Sequence, residues 1–262
     1  MTKFKIVIPA RYASTRLPGK PLLELAGRPL IAHVCAQALK ARAEEVVVAA
    51  DDERILNVAQ TLGAKGLMTD PEHTSGTERI FEVAKRLGWK AEEIVVNWQG
   101  DEPLLEAELV DRLASFLAAR PEVAVATLAA PACAEEVFNP NVVKVVLNEA
   151  GYALYFSRAP IPWIRDAFSD QPPRVMDGLH LRHIGVYAYR VGLLERFVRW
   201  RPAPLERVEA LEQLRVLWHG ERIAVMTVAT SPEAGVDTPE DAIRVERRLK
   251  ELKSLGAKRG VR

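Results

Sequence analysis

The sequence predicts an α/β fold built on a mostly parallel sheet, and two observations carry that expectation. Three short runs, residues 4–8, 45–50 and 93–98, are nearly apolar throughout, as strands buried on both faces must be. Segments of helical periodicity separate them: residues 29–42 with Pro29 in the first turn, 52–62 ending at Gly63, and 77–87 ending at Gly88. In such a sheet ligands gather beyond the carboxyl ends of the strands, so the loops after those runs are where chemistry belongs.

Further along the chain, the apolar stretch 123–134 is broken by Thr127 and Pro131 and falls short of the roughly 20 residues that cross a bilayer. From about Asn139 the rhythm changes. Residues 142–148, 152–157 and 181–189 read as strands with little helix between them, separated by the polar, proline-containing stretch 160–178. This pattern predicts an inserted lobe with antiparallel strands. A helix over 205–218, a strand over 222–229 and a last helix over 239–252 return to the α/β pattern, and 256–262 reads as a frayed basic tail. No internal repeat is present.

The 262 residues are 48% hydrophobic and 27% charged, the composition of an ordinary globular protein. Lys and Arg number 36 against 35 Asp and Glu, a net charge of +1, which lacks the basic excess that favours nucleic acid as a main partner. The two cysteines, Cys35 and Cys133, form no C-x-x-C pair, so neither a thiolate zinc site nor a disulfide framework has material. A reducing cytoplasm fits. The first apolar run stops at Pro9 and Arg11, so no secretory signal is expected there.

The loop after the first run, Pro9-Ala10-Arg11-Tyr12-Ala13-Ser14-Thr15-Arg16-Leu17-Pro18-Gly19-Lys20-Pro21, sets three cations, hydroxyls and a glycine at a strand end. Arg grips phosphate oxygens through a bidentate fork and Lys acts as a point charge, so the composition suits a polyphosphate. It is not a Walker loop, because Pro21 stands where Ser or Thr should follow the lysine, and no G-x-G-x-x-G occurs in the chain. The alternative is a solvated basic loop. His73-Thr74-Ser75-Gly76-Thr77-Glu78-Arg79 opens a helix, where exposed backbone N–H groups bind anions or base edges, or where Ser75 is a plain N-cap. Gln99-Gly100-Asp101 ends the third run, and Asp237 follows the late strand just before Thr238-Pro239-Glu240. Two carboxylates from different strand ends suit Mg²⁺, although an isolated Asp after a strand is usually a turn residue.

The stretch from Ile8 to Leu22 closely resembles the opening of the 3-deoxy-manno-octulosonate cytidylyltransferases, the CMP-Kdo synthetases. The resemblance continues through His73–Arg79, Gln99-Gly100-Asp101-Glu102-Pro103, Tyr152-Ala153-Leu154-Tyr155-Phe156-Ser157-Arg158, Arg182-His183-Ile184-Gly185-Val186-Tyr187, Leu211-Glu212-Gln213-Leu214-Arg215 and Gly235-Val236-Asp237-Thr238-Pro239-Glu240. It spans about residues 4–245. Trp98 departs from it, standing where the family has a smaller aliphatic residue, so the packing beside Gln99 is open.

The resemblance implies one Rossmann-like nucleotidyltransferase domain of the glycosyltransferase-A type over 1–262, with a mixed lobe at about 139–215 for sugar binding and dimerisation. The reaction implied is CTP + 3-deoxy-D-manno-octulosonate (Kdo) → CMP-Kdo + diphosphate, for lipopolysaccharide biosynthesis, by a Mg²⁺-dependent cytoplasmic homodimer. The implied catalytic residues are Arg11, Lys20, Asp101 and Asp237, with the metal on Asp101 and Asp237. The implied nucleotide-binding residues are Pro9, Ala10, Arg11, Ser14, Arg16, Lys20, Ser75, Gly76, Thr77, Arg79 and Gln99. Arg158, Arg165, His183, Tyr187, Glu212 and Gln213 are implied to bind the sugar acid. Taken singly, His183 also suits a satisfied structural histidine and Glu212 and Gln213 a helix surface. The rival readings are activation of another acidic sugar, such as 8-amino-Kdo or a sialic acid, and a nucleotide-binding regulator without turnover.

Overall fold

A computed structural model describes residues 2–13, 17–169 and 178–259. In chain order the elements are β1 (Lys5–Ala10), β2 (Glu24–Leu25), β3 (Arg28–Pro29), α1 (Leu30–Ala38), β4 (Glu45–Ala50), α2 (Glu53–Thr61), β5 (Lys65–Met68), α3 (Gly76–Arg86), β6 (Ile94–Asn97) and α4 (Ala107–Ala118). There follow β7 (Val125–Pro131), α5 (Ala134–Val137), β8 (Lys144–Leu147), β9 (Ala153–Ser157), β10 (Leu181–Arg190), α6 (Val191–Phe197), α7 (Pro204–Glu209), α8 (Gln213–Trp218), β11 (Ile223–Thr227) and α9 (Pro239–Arg259).

The main sheet has the order β11-β7-β10-β6-β1-β4-β5. Pairs β1 with β4, β1 with β6, β4 with β5, and β11 with β7 are parallel, whereas β10 runs antiparallel to both β6 and β7. Of these seven strands, all except β10 therefore end at one edge, and β10 begins there. Alternation along the apolar runs fills both faces: Ile6, Ile8, Val46 and Val48 pack on one side with α1, α2 and α4, and Val7, Val47 and Ala49 on the other with α3 and α6. Burial on both faces is the physical reason those runs carry almost no polar residue.

The expected mostly parallel sheet is present, with differences in detail. Strand β10 was expected to belong to the inserted lobe, but it runs through the middle of the main sheet, and only β8 and β9 branch from it. The apolar stretch 123–134 supplies β7 as an interior strand. The single helix expected over 205–218 is two, because Ala210 adopts a left-handed backbone conformation (φ 51°) that an α-helix cannot continue through. The tail expected from 256 is helical as far as Arg259, with 260–262 outside the described residues.

A smaller apolar cluster, with Leu25, Leu30, Val236 and Val245 at its centre, seats α9 against the β2–β3 hairpin and fixes the chain just before Asp237. On the opposite arm of the edge, Trp98 is completely buried in the larger core and its Nε1 donates to the Glu102 carbonyl at 3.1 Å. Its ring and the side chain of Gln99 face opposite sides of the chain, which settles the packing beside Gln99. Trp98→Ala should lose about 3–5 kcal/mol of stability, the usual cost of emptying a large aromatic site, and urea unfolding would measure it.

Candidate functional site

The ligand edge is built where four chain segments meet. The turn after β1 carries Arg11 and Lys20, the turn after β6 carries Gln99, Gly100 and Asp101, α3 begins beside them, and the chain after β11 delivers Asp237. The Lys20 ammonium donates to Asp101 Oδ2 at 2.6 Å, to Asp237 Oδ1 at 3.2 Å and to the Val236 carbonyl at 2.9 Å. Burial works against its charge, but Asp101 and then Asp237 outweigh burial and raise its pKa. Two carboxylates 136 residues apart thus converge on one cation.

That convergence depends on close backbone approach. Val236 N donates to the Asp101 carbonyl at 2.9 Å, and a Cβ on Gly235 would lie 2.4 Å from that same oxygen. A Cβ on Gly100 would lie 2.7 Å from the Pro9 carbonyl. Glycine is required at both positions by space rather than by dihedral angle. The neighbouring Glu102 was not singled out by sequence. Its carboxyl is pushed up to about 8 by burial and by the negative Asp101 and Asp237, with Arg182 opposing.

Four contiguous cavities open on this edge. The first holds Pro9, Ala10, Arg11, Lys20, Gln99, Asp101 and Asp237, and beside it a second holds Arg11, His73, Thr74, Ser75, Gly76, Arg79 and Gln99. Ser75 caps α3: its hydroxyl accepts from Glu78 N while Glu78 returns to the Ser75 and Thr74 N–H groups. The cap leaves the N–H groups of Gly76 and Thr77 as the helix-start donors. Arg79 is almost wholly buried and is spent inside, donating to Thr69 Oγ1 and to Asp51 Oδ2 at 3.4 Å. Asp51 in turn accepts from Tyr12 N at 2.9 Å, so Arg79 braces the turn after β1 as well as lining the cavity wall. Ser14 and Arg16 lie outside the described residues.

The third cavity, of about 240 Å³, is lined by Thr77, Asn97, Gln99, His183, Tyr187, Tyr189, Glu212 and Gln213 among others. Thr77, expected with the first group, faces this one instead and donates to Glu212 Oε2 at 2.8 Å. Its wall carries buried polar atoms with no protein partner among the described residues: Asn97 Oδ1, Tyr187 Oη and Glu212 Oε1. Orphaned buried polar atoms are costly unless a ligand or water meets them. Sequence reasoning missed Asn97 and Tyr189; a polar residue closing an otherwise apolar strand was the available signal for Asn97.

The fourth and widest cavity, about 980 Å³, joins Asp101, Glu102 and Asp237 to Arg158, Arg182 and His183. Arg158 donates through Nε to the Glu209 carbonyl at 2.7 Å and through Nη1 to the Pro140 carbonyl at 3.0 Å. It clips segments together as well as facing the cavity. Arg165 lies exposed on the segment beyond Pro160 and lines none of these four cavities.

His183 Nε2 sits 2.9 Å from Thr127 Oγ1, whose own hydroxyl faces the Val186 carbonyl at 2.8 Å. A hydroxyl has one proton, so with that proton on Val186 the imidazole Nε2–H is the donor and Nδ1 keeps its lone pair. Burial, with Arg182 adding to it, pushes the imidazole down to about 3. The unfolded chain takes up a proton near pH 6.5 and the folded one does not until about 3, so this group lowers stability as pH falls through that window. At pH 4.5 the wild type should have lost roughly 2–3 kcal/mol more than His183→Gln, relative to pH 7.5, in urea unfolding; parallel pH profiles would show that His183 titrates normally.

The chain is similar to known proteins along nearly its whole length. A family model described as cytidylyltransferase matches residues 5–223. A 3-deoxy-manno-octulosonate cytidylyltransferase of Methylococcus capsulatus is 55% identical over 248 residues, covering 94% of this chain and 96% of the relative. One from Coxiella burnetii is 52% identical over 244 residues, covering 93% and 98%. A solved CMP:2-keto-3-deoxy-manno-octonic acid synthetase complexed with CTP superimposes with a TM-score of 0.86 at 40% identity, covering 96% of this chain and 99% of that one. A cytidylyltransferase from Leptospira borgpetersenii, at 17% identity and a TM-score of 0.57, shares the fold. With identity above half along nearly the whole of both chains, the chain belongs to the 3-deoxy-manno-octulosonate cytidylyltransferase family.

Proposed function

We propose that this chain transfers CMP from CTP to Kdo, releasing diphosphate, and that it does so where Lys20 meets Asp101 and Asp237. The observation that carries the reading is that three-way contact, at 2.6 and 3.2 Å, on the floor of a cavity walled by Arg11, Gln99 and Gly100. Arg11 and Lys20 supply fixed positive charge toward a triphosphate, and Gly100 allows a phosphate or ribose to approach the backbone. Ala10, Ser75 and the helix-start N–H groups of Gly76 and Thr77 offer a base edge its partners, with Gln99 between this side and the sugar.

The donor set also fits Mg²⁺. Two hard carboxylate oxygens already converge on one cation, the Lys20 ammonium, and the pair is negative enough to help hold the Glu102 carboxyl at about 8. A magnesium ion held by Asp101 and Asp237 supplies charge that offsets the repulsion between phosphate oxygens and an incoming hydroxyl. The protein's part is alignment: Asp101 and Asp237 are held together through the Val236–Asp101 backbone bond, and Arg11 and Lys20 line the same cavity, where they would meet the phosphates.

The sugar acid is assigned to the cavities that hold Arg158, His183, Tyr187, Glu212 and Gln213. The unpartnered oxygens of Tyr187, Glu212 and Asn97 support hydroxyl recognition there, and neutral His183 offers Nδ1 as an acceptor. Arg158 and Arg182 support the carboxylate. Arg165 has no such support, since it lies exposed away from these walls.

A cytoplasmic homodimer completes the proposal. Leu154 on β9 and Trp163 beyond it are 61% and 62% exposed, and β9 is paired on one side only among the described residues. Within the described residues no helix is long and apolar enough to cross a membrane.

Diphosphate release should require CTP and Kdo together, with ATP, GTP and UTP far slower. Asp101→Asn and Asp237→Asn should each cut turnover about 10²–10³-fold and raise the magnesium concentration needed, with the double variant little worse than either single one. Equal turnover with purine nucleotides, or an unchanged metal titration in either single variant, contradicts the assignment.

A further inference from the structure

Lys144, on β8, is completely buried, and among the described residues no carboxylate forms an ion pair with its ammonium. Its three N–H groups go instead to three backbone carbonyls: Val142 at 2.6 Å, Arg158 at 2.7 Å and Asn139 at 2.9 Å. Asn139, Val142 and Arg158 all line the wide cavity. A single buried cation therefore fastens the segment entering β8 to the end of β9, at the wall the acidic sugar would meet.

Arg158 continues the same bracing. Besides its bonds to Glu209 and Pro140, its Nη2 lies 3.5 Å from the carbonyl of Ala210, the left-handed residue from which Glu212 and Gln213 turn into the inner cavity. Glu209 returns its carboxylate to Ser157 Oγ at 2.6 Å and to Arg158 N at 2.9 Å. Two cations and one carboxylate thus tie residues 139–142, 157–158 and 209–210 into one wall that keeps an excess of positive charge.

Part of the choice of lysine is structural, since its three donors satisfy carbonyls that an apolar side chain would leave unpaired. Burying an ammonium costs several kcal/mol of lost hydration, which those three bonds and the attraction of the Glu209 carboxylate offset in part. The charge that remains is also placed to favour an anion that comes to the wall, since a fixed cation behind it acts over several ångströms.

We propose that Lys144 is a positioning residue for the acidic sugar, fixing Arg158 and the 209–213 segment as a preorganised, positively charged wall for its carboxylate. This rests on the assignment of that cavity to Kdo. Lys144 does not touch the sugar; it acts through Arg158.

The test is a double-variant cycle on the full chain, reading KM for Kdo, KM for CTP and kcat, with the melting temperature of each variant recorded. Lys144→Met should raise the KM for Kdo tenfold or more and leave kcat and the KM for CTP within twofold. In an Arg158→Ala background the same change should add less than twofold, since the path through Arg158 is already lost. Lys144→Gln, which keeps two of the three donors, should lie between the wild type and Lys144→Met, and it carries the same cycle if the methionine variant does not fold. The proposal is overturned if both Lys144 variants leave the KM for Kdo within twofold while Arg158→Ala raises it. It is equally overturned if the effects of Lys144 and Arg158 simply add, if the KM for CTP rises in parallel, or if neither Lys144 variant folds. Should the KM for Kdo stay unchanged in Arg158→Ala and in both Lys144 variants, it is the assignment of the cavity to the sugar that fails.

Discussion

The seat of the Lys20 ammonium between Asp101 and Asp237 is the constraint on which the rest of the site depends. It joins the turn after β1, the turn after β6 and the approach to α9, three segments that have little in common along the chain. Each like-charged carboxylate would repel the other without a cation between them, and the ammonium would not tolerate its partial burial without the carboxylates. The contact is therefore mutually required, and the two glycines at 100 and 235 are what allow the backbones to come near enough for it to form.

From this contact the surrounding cavities take opposite characters. On the Arg11 and α3 side the cations Arg11 and Lys20, the helix-start donors and the Asp101 and Asp237 carboxylates gather, a set suited to phosphate, base and a metal ion. Toward β10 the polar groups are carboxamides, a phenol, a neutral imidazole and a carboxyl, suited to hydroxyl groups, and several are without protein partners among the described residues. Gln99 borders both sides, which makes the end of β6 the divide between them. Inverting one strand, β10, brings His183 and Gly185 to the same edge as the carboxyl ends of its neighbours.

Residues near the site divide between those that face a ligand and those that hold the wall. Arg79 and Arg158 both show why sequence cannot separate these roles. Each lies in a family motif and each lines a cavity, but the first spends its guanidinium on Thr69 and Asp51, and the second on three backbone carbonyls. Lys144 is the extreme case, a cation seen from sequence as one polar residue in a strand and found completely enclosed.

The α/β alternation, the carboxyl-end loops and the positions of Arg11, Lys20, Asp101 and Asp237 were legible in the sequence, because hydrophobic periodicity is local and strand ends in a parallel sheet share an edge. The motifs also named the family. Tertiary structure alone decided that β10 lies inside the main sheet, since whether an apolar strand pairs centrally or in a branch depends on partners far away in the chain. It alone broke the 205–218 helix at Ala210, turned Thr77 toward Glu212 and buried Lys144 among carbonyls. Each of those outcomes rests on where distant backbone groups come to lie, and residue spacing carries no record of that.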